Sequence, residues 1–431
     1  MTPKKTGRRR LGIRAPLSGA SIPDQPFGHP SLSHWGTQGW LERTEFSRRR
    51  LLSLGAALAI TGLVSPPLLA GELSDRQRRR RQRRQARRRK KRRERPLVPR
   101  VNDAINIQPV WIFPGEEEPE EIAIIPEIVD LQMQEIYELG FKSIRLTLSF
   151  DTLGLNLLGA IPYVRVARAL GIHVLGIIGE FGYGHDLARA LVDPRKREIV
   201  LGGYMALYDQ PISPASSHVD QSDPIAFQIL NEPTNFLGIA PADYVRIFLA
   251  PTYDYFKQLR PDLPIVSAAP VGQNSGVLRA RQMLEAGLEN YTDIIAFHVY
   301  NRESVPGLTT LTSKPVWITE SGVRGPDNHL PWVLDTFAEL RNSFSTLEQI
   351  YFFQLFDLAP GRFRILDIGV REDGVITSEV ESQALYDYWV QQVDTARNGV
   401  ETATYKDLVP SIEPYLPTEA DIDLAASLIE L

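Results

Sequence analysis

The chain has no cysteine among its 431 residues, which removes disulfide frameworks, thiolate metal sites and thiol nucleophiles at once. Histidine is scarce, at seven, and no two are spaced His-x-x-x-His as on a zinc-binding helix. His173 and His185 fall in different layers of the expected fold, so no metal is expected. A Gly-x-Ser-x-Gly nucleophile elbow and a Gly-rich phosphate loop are both missing, which argues against a serine hydrolase of that type and against nucleotide chemistry. Long apolar runs are also missing, apart from residues 51–70.

Net charge is small, at -4, but it pools two opposite pieces. Residues 1–95 carry 25 Lys/Arg and 6 Asp/Glu, a net of +19, which leaves -23 on residues 96–431. Residues 1–50 are polar and rich in Pro, Gly and Ser, the composition of a disordered or mis-started extension. Ser47-Arg48-Arg49-Arg50 then leads into the 51–70 apolar run, which is broken by Pro66-Pro67 and ends near Ala70-Gly71. Residues 47–71 resemble a twin-arginine export signal, and the alternative is a membrane anchor, since 20 apolar residues just span a bilayer. Export is expected on the first reading.

Residues 72–100 read as an Arg-rich linker. From Arg76 to Arg95, 15 of 20 residues are Arg or Lys, a run that repels itself and stays solvated. It has the charge to contact a polyanion or an anionic membrane surface by counterion release, and it lacks the interleaved aromatics of specific nucleic-acid recognition.

Residues 101–398 alternate β-rich apolar runs with helical patterns. Strands are expected at 104–112, 142–148, 173–180, 224–231, 264–269, 293–300, 315–320 and 348–356. Helices are expected at 126–139, 162–170, 194–207, 241–259, 279–286, 329–344 and 378–396, with the crossover 301–314 too short for a good one. Eight βα units in about 300 residues fit an α/β fold of the (β/α)8 TIM-barrel kind, typically about 250 residues. The runner-up, a doubly wound sheet, lacks its phosphate turn after the first strand. Residues 399–431 form an acidic C-terminal tail with Pro410, Pro414 and Pro417 and a short helix near its end.

Two carboxylates stand out by position. Glu232 closes Gln228-Ile229-Leu230-Asn231-Glu232-Pro233 after the fourth strand, and Glu320 closes Val316-Trp317-Ile318-Thr319-Glu320 on the seventh. They are 88 positions apart, or about 29 per βα unit, close to the roughly 31 of an eightfold barrel. Strand ends of this kind line a barrel's active face, and a facing Glu pair is what glycoside hydrolysis requires.

On these residues the chain resembles the clan A glycoside hydrolases, and 225–234 is similar to the signature of the cellulase-like glycoside hydrolase family 5. The resemblance implies a retaining double displacement on a β-linked oligo- or polysaccharide, without cofactor, with Glu232 as acid/base and Glu320 as nucleophile. It implies that Asn231 bonds the sugar 2-hydroxyl, that Arg145 lies beneath the nucleophile, and that His298 and Tyr300 form the His-x-Tyr pair of the sixth strand.

Physically, Arg145 would hold Glu320 ionised while burial raises the pKa of Glu232, and the Tyr300 phenol would orient Glu320 with His298 relaying a proton nearby. Two departures accompany the resemblance. Where the family has a Trp at the end of strand 8, this chain has Phe353-Gln354-Leu355-Phe356, leaving Phe353 or Phe356 as the sugar platform. Strand 3 ends without the usual His, and Glu180, Tyr183 and His185 are candidate subsite residues there. An alternative follows from the departures and the Arg-rich run: a catalytically weak or inactive barrel that binds carbohydrate or polyanion at a surface. Neither the sugar nor the oligomeric state is written in the sequence.

Overall fold

A computed structural model describes residues 103–107, 126–148, 155–179, 191–209, 225–270, 274–356, 363–370 and 376–429. The extension, the export signal or anchor, the Arg-rich linker, and Glu180, Tyr183 and His185 lie outside the described residues.

Eight parallel strands form one sheet: β1 (Ala104–Asn106), β2 (Ser143–Thr147), β3 (His173–Ile178), β4 (Ile225–Ile229), β5 (Ile265–Val266), β6 (Ile295–Val299), β7 (Val316–Ser321) and β8 (Leu347–Phe352). Their order is β5-β4-β3-β2-β1-β8-β7-β6, so the first strand pairs with the last. At the two ends of that order, a parallel bridge joins Val266 to Ile294, and Ser267 N donates to Ile294 O at 3.0 Å. The sheet is thereby a nearly closed (β/α)8 barrel, as the alternation in the sequence predicts.

The strands are apolar on both faces because both are covered. Every residue of β4 and of β6 is buried. Ala104, Leu175, Ala226, Val266, Ala296 and Tyr351 make a small cluster of their own, while a second, much larger one joins strand residues such as Ile105 and Ile144 to the helices. Against this background the buried polar residues of the strands are the exceptions, and they include Asn106, Arg145, Gln228, His298 and Glu320.

The helices follow the expected order with different ends, and proline explains most of the differences. The helix after β2 runs Leu155–Ala169 with Pro162 inside it, earlier than the expected start at the proline, because one missing N–H is outweighed by a buried face that includes Ala160, Ile161 and Val164. The segments around Pro251 and Pro331 each contain a widened π-type turn, Tyr244–Leu249 and Val333–Phe337, where proline interrupts the regular ladder. The crossover after β6 holds only a 3-10 turn, Arg302–Ser304, and the one-turn helix Val305–Leu308. The helix expected at 378–396 begins later: Ile376–Val380 is a strand, and the helix is Gln383–Arg397. Ile376, Thr377 and Val380 of that strand are β-branched, and such residues favour extended backbone.

The C-terminal residues pack on the barrel rather than trailing from it. Ala403, Tyr405, Val409 and Tyr415 are buried, the Tyr137 hydroxyl donates to Ala403 O at 3.0 Å, and Arg165 forks onto Asp421 at 2.8 and 3.0 Å. Among the described residues no helix is long and apolar enough to cross a membrane.

Candidate active site

Glu232 reaches the barrel mouth through an unusual backbone. After β4 the chain places Leu230 at φ 62° and Glu232 at φ 45°, both left-handed and neither glycine. Such conformations cost of order 1–3 kcal/mol each and persist where the surroundings impose them. Here Leu230 N donates to Ile178 O at 2.8 Å, Gln228 Nε2 donates to Leu230 O at 3.1 Å, and Pro233 starts the short helix Pro233–Phe236. The double turn is the backbone feature that carries Asn231 and Glu232 off the end of β4.

Glu320 sits directly beside His298, its neighbour across the β6–β7 pairing, at a register shift between Phe297 and His298. Two residues beyond His298, on the same side of the extended chain, Tyr300 donates its phenol to Glu320 Oε2. His298 Nδ1 meets Glu232 Oε1 at 2.5 Å, and its Nε2 lies 3.5 Å from Glu320 Oε1. An oxygen of Glu232, an oxygen of Glu320 and a ring nitrogen of His298 all fall within 4.8 Å of one another.

Beneath them Arg145, 2 % exposed, is saturated with acceptors. Its Nη1 donates to Glu320 Oε1 at 2.7 Å and to Asn106 Oδ1 at 2.8 Å, its Nη2 to Asn231 Oδ1 at 2.9 Å, and its Nε to Gln228 Oε1 at 3.0 Å. Asn231 Nδ2 completes the ring toward Glu320 Oε1 at 3.4 Å.

The two carboxyls therefore live in opposite environments. Burial raises the pKa of Glu232, and neither the hydrogen bond nor the charge of His298 fully offsets it. Burial works the same way on Glu320, but His298, Arg145 and the Tyr300 hydroxyl together overcome it and hold this carboxyl below the ordinary range. Tyr300 is pushed well above the usual phenol value by burial and by the negative charge of Glu320 and Glu232, so it stays a donor. The trio of Glu232, His298 and Glu320 has atoms that a metal ion takes as ligands, yet Arg145 donates to one of the three at 2.7 Å, and a second cation in contact with the guanidinium is electrostatically disfavoured.

Of the residues singled out in the sequence, Glu232, Glu320, Arg145, Asn231, His298 and Tyr300 converge. Phe353 joins them: its ring meets Tyr300 edge-on at 5.9 Å. Phe356 is buried, and its backbone bridges to Leu366. Gln354 is buried, and among the described residues its side-chain oxygen has no hydrogen-bond partner. Three participants escaped the sequence reading. Asn106 and Gln228 are single amides inside apolar strands, Ile105-Asn106-Ile107 and Phe227-Gln228-Ile229, and that interruption is the signal that was there to find. Phe363 packs on both Tyr300, at 6.0 Å, and Phe353, at 5.4 Å, with Arg324 over its face, but it lies well past β8 and carries no sequence mark.

No protein-family model and no curated protein matches the sequence. Solved structures with a similar fold include an endo-1,4-beta-mannanase from Rhizomucor miehei, at 14% identity and TM-score 0.42, covering 62% of this chain and 90% of that one. The endo-1,4-beta-D-mannanase of Thermotoga petrophila is 12% identical with TM-score 0.44, covering 68% and 99%. The catalytic domain of GH30 xylanase C from Talaromyces cellulolyticus is 13% identical with TM-score 0.43, covering 69% and 76%.

Proposed function

We propose that this chain is a retaining glycoside hydrolase that cleaves a β-linked oligo- or polysaccharide by double displacement. The observation that carries the reading is the pair of Glu232 and Glu320 oxygens within 4.8 Å, in environments that push their protons in opposite directions. Retention needs carboxyls about 5–5.5 Å apart, whereas inversion needs room for a water, about 6.5–9.5 Å. Glu320, ionised against Arg145, attacks the anomeric carbon and forms a glycosyl ester. Glu232, protonated, gives its proton to the departing oxygen, then takes one from the water that hydrolyses the ester. Asn231, held by Arg145 and Gln228, presents its amide toward the sugar 2-hydroxyl, and Phe353 with Phe363 offers the ring surface on which a pyranose stacks.

Incubation with a 2-fluoro glycosyl fluoride followed by peptide mass mapping tests the assignment. Label on Glu320, together with a loss of turnover of at least about 1,000-fold in Glu320→Gln, is the expected result; label elsewhere sinks it. Screening mannan, xylan and cellulose identifies the backbone. The twin-arginine segment Arg48-Arg49 fits export to where such polymers lie, and the run from Arg76 to Arg95 fits a hold on a polyanionic surface. Fusing residues 1–75 to a reporter tests the first. The salt dependence of surface retention tests the second.

A further inference from the structure

Among the described residues Arg145 makes four side-chain hydrogen bonds, and three of them are to neutral amides from different places in the barrel: Asn106 on β1, Gln228 on β4 and Asn231 just after β4. We propose that Asn106 and Gln228 are positioning residues that, with Asn231, enclose the Arg145 guanidinium in uncharged acceptors, so that its whole charge is directed at Glu320. The nucleophile role of Glu320 rests on the function proposed above; the enclosure itself does not.

The amide orientations are fixed by partners that can only accept. Asn106 Nδ2 donates to two backbone carbonyls, Thr319 O on β7 and Phe352 O on β8, each at 3.1 Å, so Asn106 Oδ1 must face the guanidinium. Gln228 Nε2 donates to Leu230 O at 3.1 Å and to Asn231 Oδ1 at 3.2 Å, which turns Gln228 Oε1 to Arg145 Nε. Both side chains are essentially without solvent contact, and among the described residues Glu320 is the one carboxylate that Arg145 touches.

A carboxylate at either amide position would satisfy the same N–H group equally well, since carboxylates are the guanidinium's strongest acceptors. It would also divide the guanidinium's electrostatic pull between two anions. Amides provide the geometry without that division. The other titratable groups facing Glu320 are His298 from β6, Tyr300 just after it and Glu232 from the end of β4, and the Asn231 amide reaches it as well. Among the described residues none of these hydrogen-bonds Asn106.

The test compares charged with uncharged replacements in the full chain. Gln228→Glu and Asn106→Asp place a second carboxylate on Arg145, while Gln228→Met and Asn106→Leu remove the acceptor without adding charge. The midpoint of Glu320 ionisation is read by carboxyl 13C NMR on protein labelled at the glutamate side-chain carboxyl, with the signal assigned by its loss in Glu320→Gln. Alongside it, the pH profile of kcat/KM on an aryl glycoside is measured. Gln228→Glu and Asn106→Asp should each raise the midpoint by about one pH unit, with the acidic limb of the profile following. Gln228→Met and Asn106→Leu should lower kcat and shift the midpoint by less than half as much. An unmoved midpoint in the carboxylate variants overturns the proposal, and so does an equal rise in the uncharged ones, the mark of a purely structural role. Gln228→Glu decides the matter if Asn106→Asp does not fold. A raised midpoint in a protein that turns over no glycoside leaves the enclosure standing and removes the glycosidase reading instead.

Discussion

Tyr300 bonds one carboxyl while His298 lies against both, and that separates them experimentally. Tyr300→Phe takes one hydrogen bond from ionised Glu320, so its lowered pKa should rise by about one unit. The acidic limb of kcat/KM then moves upward while the basic limb, set by Glu232, stays. His298→Ala removes the hydrogen bond and charge that draw the pKa of Glu232 down against burial and also the charge that lowers Glu320, so on the proposed roles both limbs should move up. Both are read from pH profiles on one aryl glycoside. Glu232 and Glu320 were legible because strand ends in a barrel are where active sites are built, whereas Arg145, His298 and Tyr300 were reached through the family resemblance. Asn106 and Gln228 were not. One amide within an apolar strand looks the same in sequence whether it braces an arginine or merely satisfies a neighbouring carbonyl.

The ends of β7 and β8 approach so closely that a side chain does not fit between them. A Cβ on Gly322 would sit 2.4 Å from Phe353 O, a backbone atom with little room to retreat. Gly322→Ala should therefore cost about 1–3 kcal/mol, seen as a lower melting temperature. It should also reduce kcat, because the displaced carbonyl belongs to the aromatic residue beside Tyr300. At this scale the eight strands were readable as apolar runs covered on both faces, and their order followed from the alternation with helices. Element ends were not readable, because proline acts by context. Pro162 is absorbed into a helix, whereas the π-type turns adjoin Pro251 and Pro331.

At the scale of the whole barrel, the C-terminal segment is held to the outer helices in part by the ion pair of Arg165 with buried Asp421. Burial alone would raise the pKa of Asp421, but bonds from Thr418 and Arg165 hold it below the usual carboxylate range. Its contribution to stability is thus complete above the ordinary carboxylate pKa and is lost as pH falls through the lowered one. Asp421→Asn should destabilise the protein by about 1–3 kcal/mol near neutral pH, because it removes the charge that Arg165 and Thr418 hold, and the gap to the unaltered chain should narrow in acid denaturation curves. Composition offered no hint of this docking, since an acidic, proline-punctuated end has the look of a tail until Tyr405, Val409 and Tyr415 are seen buried. Asn106 carries a last consequence. Its partners Thr319 and Phe352 come 213 and 246 positions later, so the acceptor that steadies Arg145 finds its own anchors only when the final strand has been made. A ribosome-bound or truncated chain can possess both glutamates and still be inert, and the first appearance of covalent label on Glu320 during refolding should time the closing of the ring.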